Sequence, residues 1–313
     1  SPPQPRIEAL HAWLEHARKL GANALYLGPV FESSSHGYDT ADYFLVDRRL
    51  GRNEDLVRFC RAAHDAGVRV IFDAVFNHVG RAFWAFKDLL AKGKDSAHTS
   101  WFRGVDFSRR SPHGDPFAYE GWNGHYSLVK LDVANPAVKE HLFAAVSRWV
   151  EEFGIDGLRL DAADCIDMGF LRELASFSHR AWPGFWLLGE VIHGDYGRWA
   201  NPSTLDSVTN YECYKGLYSS HVDDNFFEIA YAQLHVAARQ IAFLRRSPRE
   251  SVLVVVNAGP QPLTLDCDAP GLPDGPAVDL LEPDRSFIAS NGKIRVEKVP
   301  ARWARILSAA SRP

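Results

Sequence analysis

Apolar positions at the start of the chain alternate between helical and strand spacing. Ile7, Leu10, Trp13, Leu14 and Ala17 recur at helical intervals, and the pattern stops at Gly21. ALYLGPV follows, a short apolar run of the kind that forms a strand buried on both faces. The spacing predicts a second helix over Leu56–Ala66, closed by Gly67, and then a strand in VRVIFDAVF. Asn135-Pro136 opens a further helix over Val138–Phe153, which Gly154 closes. IDGLRLDAAD and FWLLGEV read as two more strands, and LDSVTNYE as a weaker one. Helix and strand in alternation predict a parallel α/β sheet.

The alternation breaks between Asn77 and Lys130, where Gly, Ser, His and aromatic residues crowd together (WFRGVDF, AYEGWNGHYSL). A long irregular stretch inside a compact domain is usually functional or disordered, and this one reads as an excursion from the main body. The style changes again from about Leu234. LHVAARQIAFLRR, SVLVVVNAG, QPLTLDC, AVDLLEP, KIRVEKV and RWARILSA are β-type runs, separated by SPRE, GPQP, GLPDGP and SNGK. They predict a C-terminal antiparallel β-sandwich beginning near Ala232.

Composition narrows the function classes. The net charge of −4 offers no basic surface for nucleic acid, and no block of like charge forms a tail. No apolar run reaches the length of a membrane span, and no secretory apolar region opens the chain. Cys60, Cys165, Cys213 and Cys267 are scattered, so they suggest neither a zinc site nor a disulfide framework. Buried free thiols fit a reducing compartment, and the expectation is a cytoplasmic protein. The rings of 9 Trp, 10 Tyr and 19 Phe are mostly core material, with sugar stacking a minority use.

Three strand ends carry polar residues in a row: DAVFNH (Asp73 to His78), GLRLDAAD (Gly157 to Asp164) and LLGEV (Leu187 to Val191). In a barrel of parallel strands such ends converge on one face. Two carboxylates are the minimum for glycosidic cleavage, one ionised to attack and one protonated for the leaving oxygen. Arg159 precedes Asp161 by two residues, so in a strand both point the same way, and the guanidinium favours an ionised Asp161. Partial burial of Glu190 at the end of an apolar strand favours its acid form. Each residue alone also fits a plainer role: a strand-end Asp as a turn or cap, an Arg as its ion-pair partner. Three polar strand ends in barrel order favour the chemical reading.

These residues resemble the α-amylase superfamily of glycoside hydrolases. DAVFNH is similar to its first signature, GLRLDAAD to its second and GEV to its third. HGYDTADYF (His36 to Phe44) resembles the segment after the second barrel strand, and LVKLD (Leu128 to Asp132) an extra signature before the fourth. The resemblance covers about residues 7–231 and lies nearest the neopullulanase and cyclomaltodextrinase members. It implies a (β/α)8 TIM-type barrel over 1–76 and 131–231, an inserted B domain over 77–130 and a C-terminal domain over 232–313. It implies that Asp161 is the nucleophile and Glu190 the acid/base, with Arg159 holding the nucleophile. His78 would hydrogen-bond the sugar and Tyr38 would stack beneath it. Asp39 and Asp73 would support the site, and Asp164 would lie beside the acceptor. The implied partner is an α-glucan oligosaccharide, with no nucleic acid or membrane, and an oligomeric state is left open. No cofactor is expected. Calcium is the one ion the resemblance brings in, at Asn77, without a full ligand set.

The family's fourth signature, an N-H-D string on the seventh strand, has no good match. His221-Val222-Asp223-Asp224 is the nearest string, but no apolar strand precedes it, and it is rejected as the third acid. Strands two to six can be placed and the other three cannot, so the expectation is an incomplete or internally deleted barrel. Three readings follow: a retaining α-glucan hydrolase or transglycosylase, a non-catalytic α-glucan-binding remnant, or a metal-dependent hydrolase using His36, His78 and Asp73. The last is weakest, because neither HxH nor HExxH occurs.

Overall fold

A computed structural model describes residues 3–211, 214, 233–237, 239–246 and 250–310. The helices begin and end where local chemistry directs. A 3₁₀ turn over Arg6–Leu10 leads into α1, His11–Lys19, so the apolar stripe expected from Ile7 starts with a tighter turn. Helix α2, Asn53–Asp65, starts earlier than the apolar spacing alone suggests. The Asp55 carboxylate reaches back to accept from the Arg52 amide at 2.8 Å, satisfying a donor that the helix itself leaves open. Helix α3, Trp84–Lys92, forms inside the excursion, where the sequence pattern predicts no helix. Helix α4, Pro136–Phe153, is capped by Asn135, whose side chain accepts from the Ala137 amide at 2.9 Å, and it ends at Gly154 with φ +70°. Helix α5, Met168–Ala181, is capped by Asp167 through the Phe170 amide.

Strands β1 (Ala24–Leu27) and β2 (Arg69–Ala74) lie side by side and parallel. Next in the chain come β3 (His78–Gly80), β4 (Gly121–Trp122) and β5 (His125–Lys130) of the excursion. The main sheet then resumes with β6 (Gly157–Leu160), β7 (Trp186–Gly189) and the short β8 (Ser207–Val208). Its order is β1-β2-β6-β7-β8 with every pair parallel, so each new strand is laid beside the last. That is the pattern of consecutive strands in a (β/α)8-type barrel, five wide among the described residues.

The two faces of this sheet differ. Register aligns Phe72, Leu158 and Leu187 on one face, each 0% exposed and part of one apolar cluster with residues of α2, α4 and α5. The other face carries Tyr26 beside Ile71, then Asp73 beside Arg159 and Leu188. There Tyr26 is 45% exposed and Trp186 is 39% exposed.

The excursion is ordered rather than loose. Its strands form a small antiparallel sheet in the order β3-β5-β4. Arg81 binds Asp115 through two hydrogen bonds of 2.8 Å and lies over the Phe86 ring. Gly80 is where the loop 33–40 rests on β3: a Cβ there would collide with the Asp39 carbonyl.

The chain divides into two compact units, 1–209 and 210–313. In the second, β9 (Gln233–Ala237), β10 (Gln240–Arg246), β11 (Glu250–Asn257) and β12 (Leu263–Asp268) are followed by β13 (Gly275–Asp279), β14 (Ser286–Ser290), β15 (Lys293–Val299) and β16 (Trp303–Ala310). They make one antiparallel sheet of order β12-β15-β14-β13-β16-β11-β10-β9, whose end strands β12 and β9 also meet. Two details depart from the sequence reading. LHVAARQIAFLRR is a hairpin rather than one run, and SFIAS is an additional strand. The boundary expected near Ala232 falls outside the described residues, as do His221-Val222-Asp223-Asp224.

Candidate active site

The open face of the parallel sheet brings its polar strand ends together. Asp73 at the end of β2 is in register with Arg159 on β6, and Asp161 follows two residues later on the same side. Glu190 comes directly after β7. Arg159 binds all three carboxylates. Its Nη1 donates to Asp73 Oδ1 at 2.8 Å, to Asp73 Oδ2 at 3.1 Å and to Asp161 Oδ1 at 2.8 Å. Its Nη2 lies 2.7 Å from Glu190 Oε2.

Backbone geometry ties Asp161 and Glu190 together. The chain leaves β6 through Ala162, whose φ of +45° is unusual for a residue with a Cβ. Such strained positions cluster at functional sites. Here the turn aims the Ala162 amide at Glu190 Oε2, 3.1 Å away, while the Ala163 amide donates to the Glu190 carbonyl at 2.9 Å.

The electrostatics correct one expectation. The Asp161 side chain is 9% exposed and that of Glu190 is 20% exposed, so burial falls more heavily on Asp161. Burial pushes Asp161 up to about 7 against the pull of Arg159, with Asp73 and Glu190 adding to the rise. Arg159 therefore does not hold Asp161 in the ordinary carboxylate range, because burial, with the neighbouring acids, outweighs its pull. Asp73 is also raised by burial, opposed by Arg159 and by hydrogen bonds from Tyr26 and Tyr38. Burial works against the charge on Arg159 too, but Asp73 and the neighbouring groups outweigh it and the guanidinium stays charged.

The remaining residues named from the sequence divide into two sets. Tyr38 is half-buried and joins the cluster through Asp73. His78 is 1% exposed and lies face to face with Trp122, with ring centres 5.3 Å apart. Burial pushes its pKa down to about 4, so the ring is neutral at neutral pH. Its Nδ1 is 3.2 Å from Asn77 Nδ2, which donates to it. Asp39, expected to support the site, organises its own loop: it accepts from the Ser35 amide and hydroxyl and from the His36 amide. Burial would raise Asp39, but those hydrogen bonds hold it below the usual range. Asp164 is exposed on the 3₁₀ turn Ala163–Cys165, outside the Arg159 cluster. Tyr26 is the residue that the sequence reading does not single out. Its hydroxyl donates to Asp73 Oδ2 at 2.5 Å, and Arg159 lies 5.8 Å from its ring centre.

The groups lining the cleft at Asn77 are not an acid-rich set. Asn77 lines this cleft, of about 160 Å³, with Arg103 and Lys130, two cations, alongside Asp132 and Asp167. The Asp167 side chain is engaged as a helix cap. Nor do His36, His78 and Asp73 converge as a metal hydrolase requires. His36 Nδ1 accepts from the Tyr38 amide, whereas Asp73 belongs to Arg159 and Tyr26. Among the described residues no group of three or more His, Cys, Asp or Glu could hold a metal ion. No helix among them is long and apolar enough to cross a membrane.

Two carboxylates on one guanidinium, at the ends of adjacent parallel strands, narrow the choice of family. The family model for the alpha amylase catalytic domain matches residues 9–245. The chain belongs to the α-amylase family. Among relatives in this family, a cyclomaltodextrinase from Bacillus sp is 38% identical over 203 residues, which cover 63% of this chain and 35% of that protein. Neopullulanase 2 from Thermoactinomyces vulgaris is 40% identical over 202 residues, covering 63% of this chain and 34% of that one. The chain thus spans about a third of the length of the curated relatives it matches. Among solved structures, a Nostoc punctiforme debranching enzyme superposes with a TM-score of 0.71 at 21% identity, over 96% of this chain and 88% of the other, and so shares the fold.

Proposed function

We propose that the site is that of a retaining glycoside hydrolase or transglycosylase acting on α-glucosidic bonds of starch-type oligosaccharides. The observation that carries this reading is the placement of Asp161 and Glu190 on one guanidinium. A shared guanidinium keeps the two carboxyl groups near one another, and the retaining arrangement requires them roughly 5–5.5 Å apart. Asp161 attacks the anomeric carbon as a carboxylate and forms a glycosyl ester. Glu190 gives its proton to the departing glycosidic oxygen. Glu190, now ionised, takes a proton from water or from a sugar hydroxyl, whose oxygen then displaces Asp161. Arg159 orients both acids throughout. Neutral His78 and Tyr38 line the sugar's position, and Asp164 stands toward the acceptor.

The relatives' names support the substrate class, since one is a cyclomaltodextrinase and another a neopullulanase. The test is release of reducing sugar from maltooligosaccharide or cyclomaltodextrin. Activity that disappears in Asp161→Asn supports the reading, and activity that survives that change overturns it. A second reading is oligosaccharide binding without turnover. It is favoured by the acid cluster itself: among the described residues, the acids bound by Arg159 are Asp73, Asp161 and Glu190, with none from a seventh strand. Sugar binding by calorimetry with no sugar released would select it.

A further inference from the structure

Tyr26 is not placed as a packing residue would be. It lies on the open face of the sheet, is 45% exposed and is not part of the apolar cluster, yet its hydroxyl is spent on the buried Asp73. Asp73, with a fully buried side chain, competes for the same Arg159 Nη1 that Asp161 uses, and it does so with both of its oxygens. A buried carboxylate short of donors pulls hard on any cation within reach, because its charge has no water to fall back on.

We propose that Tyr26 is a positioning residue whose hydroxyl satisfies one oxygen of Asp73 and thereby leaves Arg159 Nη1 available to Asp161. The inference rests on the reading of Asp161 as nucleophile. The guanidinium beneath the ring helps fix the phenol, since a cation 5.8 Å from an aromatic centre is attracted to its face. The charged and titratable groups facing this pair are Asp73, Arg159 and Tyr38, with Asp161 on the same Nη1 as Asp73 and Glu190 on Nη2. Tyr38 also hydrogen-bonds Asp73, but it sits on the loop 33–40, whereas Tyr26 is held in a strand.

Tyr26→Phe keeps the ring and removes only the hydroxyl. Asp73 then draws Nη1 toward itself, Asp161 loses part of its counter-charge, and its carboxyl becomes harder to ionise. The experiment follows the Asp161 carboxyl carbon by NMR in the full chain carrying isotope-labelled aspartate, with Asp161→Asn assigning the signal. In Tyr26→Phe the titration midpoint of Asp161 rises by about half a unit or more, the scale of a lost charge-assisted hydrogen bond shared across the cluster. The acid limb of sugar release moves up by the same amount and the alkaline limb stays in place. In an Asp73→Asn background the hydroxyl has no carboxylate to satisfy, so Tyr26→Phe moves nothing further. An unchanged midpoint in Tyr26→Phe, or an equal shift in both backgrounds, overturns the inference. A wild-type chain that releases no sugar overturns the proposed activity instead, and the NMR titration still decides the role of Tyr26.

Discussion

The two faces of the parallel sheet share the same strands, yet they do opposite work. On β7, Leu187 points into the helical layer and is 0% exposed, while its neighbour Trp186 points the other way and is 39% exposed. On β2, Phe72 lies against the rings of Trp149 and Phe153 while Asp73 faces Arg159 and Tyr26. The covered face holds the fold, because burying an aromatic or leucine side chain contributes roughly 1.5–3 kcal/mol. The open face concentrates one cation, three carboxylates and a phenol in a place where they cost stability. The lesson is that alternate residues of a strand can be nearly independent in what they determine.

The sharpest test of that independence is Asp161→Asn. If Asp161 is the nucleophile as proposed, the substitution lowers sugar release by on the order of 10⁴-fold or more. Its unfolding free energy at neutral pH does not fall, since a buried acid has become neutral. Denaturant titration beside a sugar-release assay reads both effects. On the covered face, Phe72→Ala destabilises by about 3–5 kcal/mol and Leu187→Ala by about 2–5 kcal/mol. The fraction that remains folded keeps the wild-type pH profile. A shift in that profile would break the separation of the faces.

Next is the pH dependence. In the proposed mechanism Asp161 is ionised to attack, so with its pKa at about 7 the acid limb of sugar release is expected to fall as pH drops below neutrality. Stability runs the other way. In the unfolded chain this acid ionises near pH 4, roughly its ordinary value. The folded state holds the proton longer, so Asp161's contribution is present at low pH and is lost as pH rises through about 7. Asp161→Asn therefore matches wild type in acid and gains on it toward neutral pH, as thermal melts across that range will show. The smallest effect is that of Trp186→Ser, which costs under about 1 kcal/mol because that ring is already partly in water. A larger loss would mean that the open face carries more of the fold than its exposure implies.

The elements of the covered face were legible from apolar spacing and punctuation, as with α4 between Asn135-Pro136 and Gly154. Helix α3 was not, because Trp84-Ala85-Phe86 lies in a tract whose Gly, Ser and aromatic residues hide a nine-residue helix. The β9–β10 hairpin read as one run because its turn has no Gly or Pro, and Arg239 itself adopts φ +62°. At the site, residue types and strand ends pointed to Asp73, Arg159, Asp161 and Glu190. What they could not show was how burial divides among the acids. That depends on the side of the sheet that is open, which is a property of the whole assembly of strands. Tyr26 escaped for a related reason: within ALYL it reads as a strand residue like its neighbours, and its partner lies 47 positions on. The part Asp39 plays in its own loop was hidden as well, because it rests on amide donors that only the folded loop brings to the carboxylate.

The contact at Gly80 has a mechanical consequence. The Gly80 amide donates to the Thr40 carbonyl at 2.9 Å, and there is no room for a side chain between β3 and Asp39. The loop that carries Tyr38 is thus bolted to the strand that begins with His78. Any side chain at position 80 would therefore push Tyr38's loop away from His78's strand, and so act on both residues at once.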